Sequence, residues 1–393
     1  VKILVIGNGF DLAHGLPTKY NDFLEFLLLI KTMSKYHGTT VDFISKQLNE
    51  SSVDNNIKQY IQNLILRITE EYGRNNEKAG LRFQNINTLV SKSEDKVLQE
   101  LIAHLEENLW YEYFIKTKSY INEGWIDFES EISRVVKTLD QYKTKGLFDQ
   151  QDIVEKDIKQ ILLSVTVLDG SSSKFKVDEK EVQKLEGDLN KLIRSLEIFL
   201  EDCIGKINIG HILPDIQSNK FDKILSFNYT NTYEKVYAPQ HNILYDFIHG
   251  KADITRNIDT NNMVLGIDEY LDSTQASKNT SFIFYKKYFQ RIHKETGCDY
   301  RDWIQNITSS KYQSELFIFG HSLDITDKDI LRELIETKGL ITTIFYYNKK
   351  VYASQIANLV KVLGVDNLVS RVHGQHRSII FKQQQNPIRG TEL

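Results

Sequence analysis

Four short stretches of this chain carry residue types that could handle a nucleotide. They are Gly7-Asn8-Gly9-Phe10-Asp11, Ser226-Phe227-Asn228-Tyr229-Thr230, Ile248-His249-Gly250 and Phe319-Gly320-His321-Ser322-Leu323. Each follows a short apolar run of strand length. Glycines directly after a buried strand let the backbone approach a ligand that side chains would block. Turn amides ahead of a helix N-terminus offer unpaired donors and a positive dipole end, which suit a pyrophosphate. Pro17 and Thr18 close the first of these loops. Taken singly, each stretch has a plain alternative: a strand-to-helix turn for the glycines, a turn residue for Asn228, a structural histidine for His249. The six-residue dinucleotide fingerprint is incomplete at Gly7, so the case rests on all four stretches falling at one sheet edge.

Two further groups are candidates for chemistry. In Trp125-Ile126-Asp127-Phe128-Glu129 the carboxylates at i and i+2 share a face only in extended structure. A helix start is the expected context, with Asp127 capping a helix that begins near Phe128 and Glu129 left as a spare carboxylate for a site. His373-Gly374-Gln375-His376-Arg377 reads as a polar loop, because histidines at i and i+3 alone lack the further ligands zinc requires. With only Cys203 and Cys298 besides, no metal is expected and activity should not depend on zinc.

The elements that must position these residues are legible as periodicities. Ile3 to Ile6 reads as a buried strand. From about residue 21 to 205 helical stripes dominate, such as Ile57, Tyr60, Ile61, Leu64, Ile65 and Ile68 at spacings of three and four. Similar stripes run over Leu98 to Phe114, Ile126 to Leu139, Ile153 to Leu168 and Val182 to Ile204, and Asp169 to Ser173 reads as a flexible loop. Strand signals return at Lys223 to Phe227, Leu244 to Ile248, Met263 to Leu265, Leu316 to Phe319 and Ile341 to Tyr347. Between the last two, Asp327 to Ile335 has the early acids and apolar stripe of a crossover helix. The expected fold is α/β: a doubly wound, Rossmann-type parallel sheet split along the chain, with its ligand crevice at the carboxyl ends of the strands. Residues 1–20 and 206–393 would form the nucleotide-binding core and residues 21–205 a large helical insertion.

Composition narrows the function classes. The chain has 393 residues, 41% of them hydrophobic, enough for a real core. Its 49 basic and 53 acidic residues give a net charge of -4, so no global electrostatic footprint for nucleic acid exists. The longest early apolar stretch, Phe26 to Ile30, is far short of the roughly 20 residues of a membrane span. Two distant cysteines fit a reducing, cytoplasmic setting.

With these residues in view, two resemblances emerge. Gly7-Asn8-Gly9-Phe10-Asp11-Leu12-Ala13-His14-Gly15-Leu16-Pro17 has the spacing of the sirtuin opening motif G-A-G-x-S-x-x-x-G-I-P. Ser226 to Thr230 lines up with the sirtuin T-Q-N-I-D, and His249-Gly250 with its catalytic H-G. Gly320-His321-Ser322-Leu323 resembles the G-T-S-L ribose loop, and Asn348, after a late strand, resembles the asparagine near the adenosine. Asp11, Phe227 and Thr230 stand where sirtuins have serine, glutamine and aspartate, and no zinc module is present, which argues against deacylation. Over most of the chain the closer resemblance is to the AbiH family, carried by Ile6 to Phe23, Trp125 to Glu129 and Phe319 to Ile330. That family is associated with bacterial abortive infection against phage.

The sirtuin resemblance implies NAD as the ligand, consumed as substrate. Nicotinamide is a cationic leaving group, so cleaving its glycosidic bond needs little acid assistance and more stabilisation of an oxocarbenium-like centre. Asn228 could bond a ribose hydroxyl or hold a water, His249 could take a proton, and Glu129 could face the ribose. Gly7, Asn8, Gly9, Phe10, Asp11, Pro17, Thr18, Ser226, Gly320, His321, Ser322 and Asn348 are then the expected cofactor contacts. The expected activity is hydrolysis of NAD to nicotinamide and ADP-ribose by an antiphage effector, released by a phage-derived or protein trigger and open to homo-oligomerisation. The rival expectation is a nucleotide-sensing or regulatory subunit of a defence complex that binds through the same crevice without turnover.

Overall fold

The structure is a computed structural model that describes residues 1–35, 38–75, 85–118, 127–237, 243–269, 280–309, 312–375 and 377–389. Its centre is a six-stranded sheet. In chain order the strands are β1 (Lys2–Ile6), β2 (Lys223–Ser226), β3 (Leu244–Phe247), β4 (Ser314–Phe319), β5 (Leu340–Tyr346) and β6 (Ile379–Gln383). They lie side by side as β3-β2-β1-β4-β5-β6, and every neighbouring pair is parallel. This is the doubly wound order, whose direction reverses between β1 and its neighbours β2 and β4, so a crevice is expected beyond the carboxyl ends there. Apolar runs such as Ile3, Leu4 and Val5 are fully buried because helices cover both faces.

The connection from β1 to β2 holds most of the helices. Its amphipathic stripes bury one large core that runs from Leu16 through Ile204 and takes in Ala252, Met263, Leu265, Ile267, Phe282 and Tyr285. The expected stripe at Ile57 to Ile68 lies on the helix Asn55–Asn75. The stripe at Leu98 to Phe114 is two helices, Lys96–Leu105 and Leu109–Lys118. The chain turns between them at Glu107, whose φ is 51°, and the Asn108 side chain accepts from the Tyr111 amide to start the second. The stretch after Ile153 forms only the short helix Lys159–Ser164, followed by an antiparallel ribbon of Thr166–Leu168 with Phe175–Val177. The Asp169 to Ser173 loop is the turn of that ribbon, held by Asp169 accepting from Ser171 and Ser172.

Two departures concern strands. Met263 to Leu265 has the apolar run of a strand but is an irregular segment. Side chains satisfy its backbone: Gln290 bonds both the amide and the carbonyl of Leu265, and Tyr229 and Lys294 donate to Val264 and Met263. The other departure is β6, which the sequence signals do not mark. It pairs with β5 at the sheet edge and has only Ile379-Ile380-Phe381 as an apolar signal before Lys382 and Gln383. Among the described residues no helix is long and apolar enough to cross a membrane.

Candidate functional site

Three loops meet beyond the carboxyl ends of β1, β2 and β4. The Gly7 turn leads into helix α1 (Asn8–Ala13), and it packs directly on the Gly320 loop. The Gly9 amide donates to Gly320 O at 2.8 Å, Gly7 donates to Phe319 O at 3.1 Å, and Phe10 donates back to Gly7 O at 2.8 Å. A Cβ at Gly7 would lie 2.7 Å from His321 Cα, and one at Gly9 would lie 2.7 Å from Gly320 Cα. Glycine at these positions therefore lets two backbones touch, and the Gly9 and Phe10 amides expected for phosphate are spent within the protein. Asn228 ties β2 to the same turn: its Nδ2 donates to Gly7 O at 3.0 Å, and its amide and carbonyl both bond Ser226 Oγ. Asp11 lies beneath, accepting from Thr230 Oγ1 at 2.7 Å, and burial pushes its carboxyl up to about 6 against the hydrogen bonds of Thr232, Thr230 and Asn228. Thr18 donates to Asn8 Oδ1 at 2.7 Å and closes the loop that contains Pro17.

Next to this face is a buried cluster of charges and imidazoles. His249 follows β3, where Gly250 at φ 77° turns the chain so closely past Asn262 that a Cβ would overlap its carbonyl. His321 follows β4. Both imidazoles flank the Phe227 ring, with centroids 5.6 and 4.3 Å away. Both also face Asp327, which stands at the amino end of the crossover helix α2 (Lys328–Glu336). His249 Nε2 lies 3.3 Å from Asp327 Oδ1, and His321 Nε2 lies 3.5 Å from Asp327 Oδ2.

The remaining partners set the tautomers. His321 Nδ1 receives the Leu323 amide at 2.9 Å, so its lone pair is used and its proton is on Nε2, toward the carboxylate. His249 also carries its proton on Nε2, because a lone pair would be repelled by the carboxylate oxygen. Its Nδ1 is buried and has no hydrogen-bond partner among the described residues. Burial, with the nearby Lys287 charge, lowers His249 to about 4, so it is neutral at pH 7 with a free lone pair. Of the two imidazoles, His249 alone is equipped as a base.

The carboxylate side comes from the helical layer. Asp127 caps the helix Phe128–Lys145, accepting from the Glu129 amide at 3.0 Å. Phe128 anchors that first turn between Tyr20 and Phe114, stacked on both with centroids 4.2 and 4.0 Å apart. Glu129 is thereby aimed at Lys287, whose Nζ lies 2.7 Å from Glu129 Oε2 and 3.1 Å from Asp327 Oδ1. Lys287 is fixed in turn by its amide, which donates to Ile267 O at 2.8 Å. Burial and the Asp327 charge push Glu129 up to about 7. Burial works in the same direction on Asp327, but Lys287 and the two imidazoles outweigh it and hold that carboxyl well below its usual range.

The sequence model of the family described as "Bacteriophage abortive infection AbiH" matches residues 3–347. The chain belongs to the AbiH family. Membership suggests a role in bacterial abortive infection against phage. No curated protein and no solved structure matches the chain significantly.

In this AbiH-family chain, Gly7, Gly9, Asn228, Gly320 and His321 meet at one sheet edge, and Phe227 joins them to His249. Asn348 is elsewhere: it caps the helix Lys349–Leu363, accepting from the Val351 amide at 2.9 Å. Ser322 offers its carbonyl to Asn358 Nδ2 at 3.0 Å. Trp125, Ile126 and His376 lie outside the described residues. Lys287 and Asp327 are site residues that the sequence patterns do not single out. Asp327 carries a signal, an acid before a crossover helix, but that pattern reads as capping; Lys287 sits in Lys286-Lys287, a pair that reads as solvated. Among the described residues no group of three or more His, Cys, Asp or Glu is arranged to hold a metal.

Proposed function

We propose that this protein is a cytoplasmic NAD-consuming effector that hydrolyses NAD to nicotinamide and ADP-ribose in a sirtuin-like cleft during phage infection. The observation that carries the reading is His249 Nδ1: a buried lone pair, unpartnered among the described residues, on a neutral imidazole whose other nitrogen faces a carboxylate. That is the equipment of a general base. His249 follows the edge strand β3, and Phe227 at the end of β2 joins it to the carboxyl-end crevice where doubly wound folds hold nucleotides. The resemblance of residues 7–17, 226–230 and 249–250 to the sirtuin motifs supplies NAD as the ligand.

In this mechanism the bond from ribose C1′ to nicotinamide nitrogen breaks first, and nicotinamide leaves neutral. Glu129, as a carboxylate, stabilises the oxocarbenium-like centre. Water adds to C1′, and its proton passes to His249 Nδ1. Positioned base catalysis of this kind is worth about 10²- to 10⁴-fold. The helical layer that supplies Glu129 covers the cleft, and a trigger of phage or protein origin would open it.

One observation favours a second reading. The Gly9 and Phe10 amides are spent on Gly320 and Gly7, so the turn has fewer free donors for a pyrophosphate than a dinucleotide cradle uses. A regulatory protein that senses a nucleotide without turnover need not hold the pyrophosphate in one catalytic position, and so needs fewer donors there. Incubation of the purified protein with NAD, with chromatography for nicotinamide and ADP-ribose, separates the two. Release of both products supports hydrolysis; binding of NAD by calorimetry with no release, in infected-cell extract as well as in buffer, supports the sensor.

A further inference from the structure

Glu129 and Asp327 approach from different parts of the molecule, one from the first turn of the helix Phe128–Lys145 and the other from the amino end of α2. Lys287 lies between them, with its side chain 1% exposed and its Nζ in contact with both. One buried positive charge can neutralise one carboxylate. Asp327 also faces two imidazole N–H groups, so it keeps its charge, and of the two carboxylates Glu129 is the one that gains a proton first as pH falls. Lys287 Nζ and His249 Nε2 share a single acceptor, Asp327 Oδ1.

We propose that Lys287 is a positioning residue, whose one buried charge ties Glu129 on the helical layer to Asp327 on the core and, by neutralising Asp327, keeps His249 singly protonated with its Nδ1 lone pair free. The physical reason lies in the alternative. Without the cation, Asp327 would be a buried anion beside an imidazole, and the nearest neutralisation is a second proton on His249. That proton would occupy Nδ1 and remove the lone pair. Other charges face the cluster as well. Arg291 acts with Lys287 to keep His249 neutral, while Asp268 lies near both Lys287 and Asp327. Glu129 is faced by Asp127 and by the hydroxyls of Tyr20 and Tyr229, and the Asp329 charge acts on Asp268. None of these groups bridges the two carboxylates as Lys287 does.

The inference rests on His249 acting as the base, but its test needs no substrate, so failure to cleave NAD leaves it standing or falling separately. Ring ¹⁵N spectra of the ligand-free protein between pH 4 and 8 report the His249 tautomer and charge. The parent should hold His249 neutral, with its proton on Nε2, down to about pH 5. In Lys287→Met, His249 should gain its second proton at a pH at least about one unit higher, a tenfold change in the protonation equilibrium. Lys287→Arg should stay with the parent. Superposable titrations for Lys287→Met and the parent would overturn the proposal. If Lys287→Met does not fold, carboxyl ¹³C titration of the parent decides. Asp327 should remain ionised throughout while Glu129 titrates near neutrality, and the reverse order would overturn the assignment.

Discussion

Asp327 Oδ1 is shared: Lys287 Nζ lies 3.1 Å from it and His249 Nε2 lies 3.3 Å from it. The carboxylate thus serves an ion pair and an imidazole at once. Breaking a buried pair from one side strands the other charge, which costs about 3 to 5 kcal/mol. Asp327→Asn is expected to lower stability by an amount in that range, measured by urea unfolding at pH 7. An effect below about 1 kcal/mol would show that Lys287 finds adequate compensation from Glu129 alone.

Glu129 gives the site a pH dependence. Cleavage as proposed needs Glu129 ionised and His249 neutral. Burial holds Glu129 near 7 and His249 near 4, so Glu129 sets the acid limb. As pH falls below about 7 the carboxylate gains a proton, and kcat/KM for NAD should drop close to tenfold per pH unit while His249 is still neutral. Glu129→Gln should lower the rate and abolish this limb. A limb unchanged in Glu129→Gln would assign it to another group.

The glycine turn should respond to substitution through folding. Gly9→Ala places a Cβ 2.7 Å from Gly320 Cα, and neither backbone has a flexible end to move aside. Overpacking of this kind costs about 1 to 3 kcal/mol, so the melting temperature should fall whether or not a nucleotide is present. Gly187 is the control. It lies inside the helix Glu179–Ile198 with nothing within 4 Å of the position a methyl group would take, so Gly187→Ala should raise stability by about 0.5 to 1 kcal/mol.

Asn228→Ala removes one of two donors to Gly7 O, which keeps the Phe10 amide. A loss of about 0.5 to 1.5 kcal/mol of stability follows. Because the same amide is a candidate to hold a ribose hydroxyl or a water, the substitution also tests that role. A change in NAD affinity larger than the loss of stability accounts for, read by calorimetry on the folded variant, would place Asn228 against the ligand.

The sheet is largely readable from the sequence because buried parallel strands are short unbroken apolar runs, as at Ile3 to Ile6 and Leu316 to Phe319. Where side chains replace ladder bonds the same signal misleads, and Met263 to Leu265 is the example, since Gln290 does there what a neighbouring strand would do. The glycines are legible as a close approach, but the sequence does not say whether a ligand or another loop approaches. The charged cluster is half visible. Glu129 and His249 follow recognisable local patterns, whereas Lys287 has none, and its burial depends on two carboxylates, Glu129 and Asp327, that are distant from it in sequence on either side.

The central claim is that His249 Nδ1 takes the proton of the attacking water, and single-turnover cleavage of NAD by the parent and by His249→Ala tests it most directly. With the trigger supplied and NAD saturating, nicotinamide release should be at least about 10²-fold slower in the variant, with NAD affinity within a few-fold of the parent. Release at the parental rate in His249→Ala, with both proteins folded, would contradict the account.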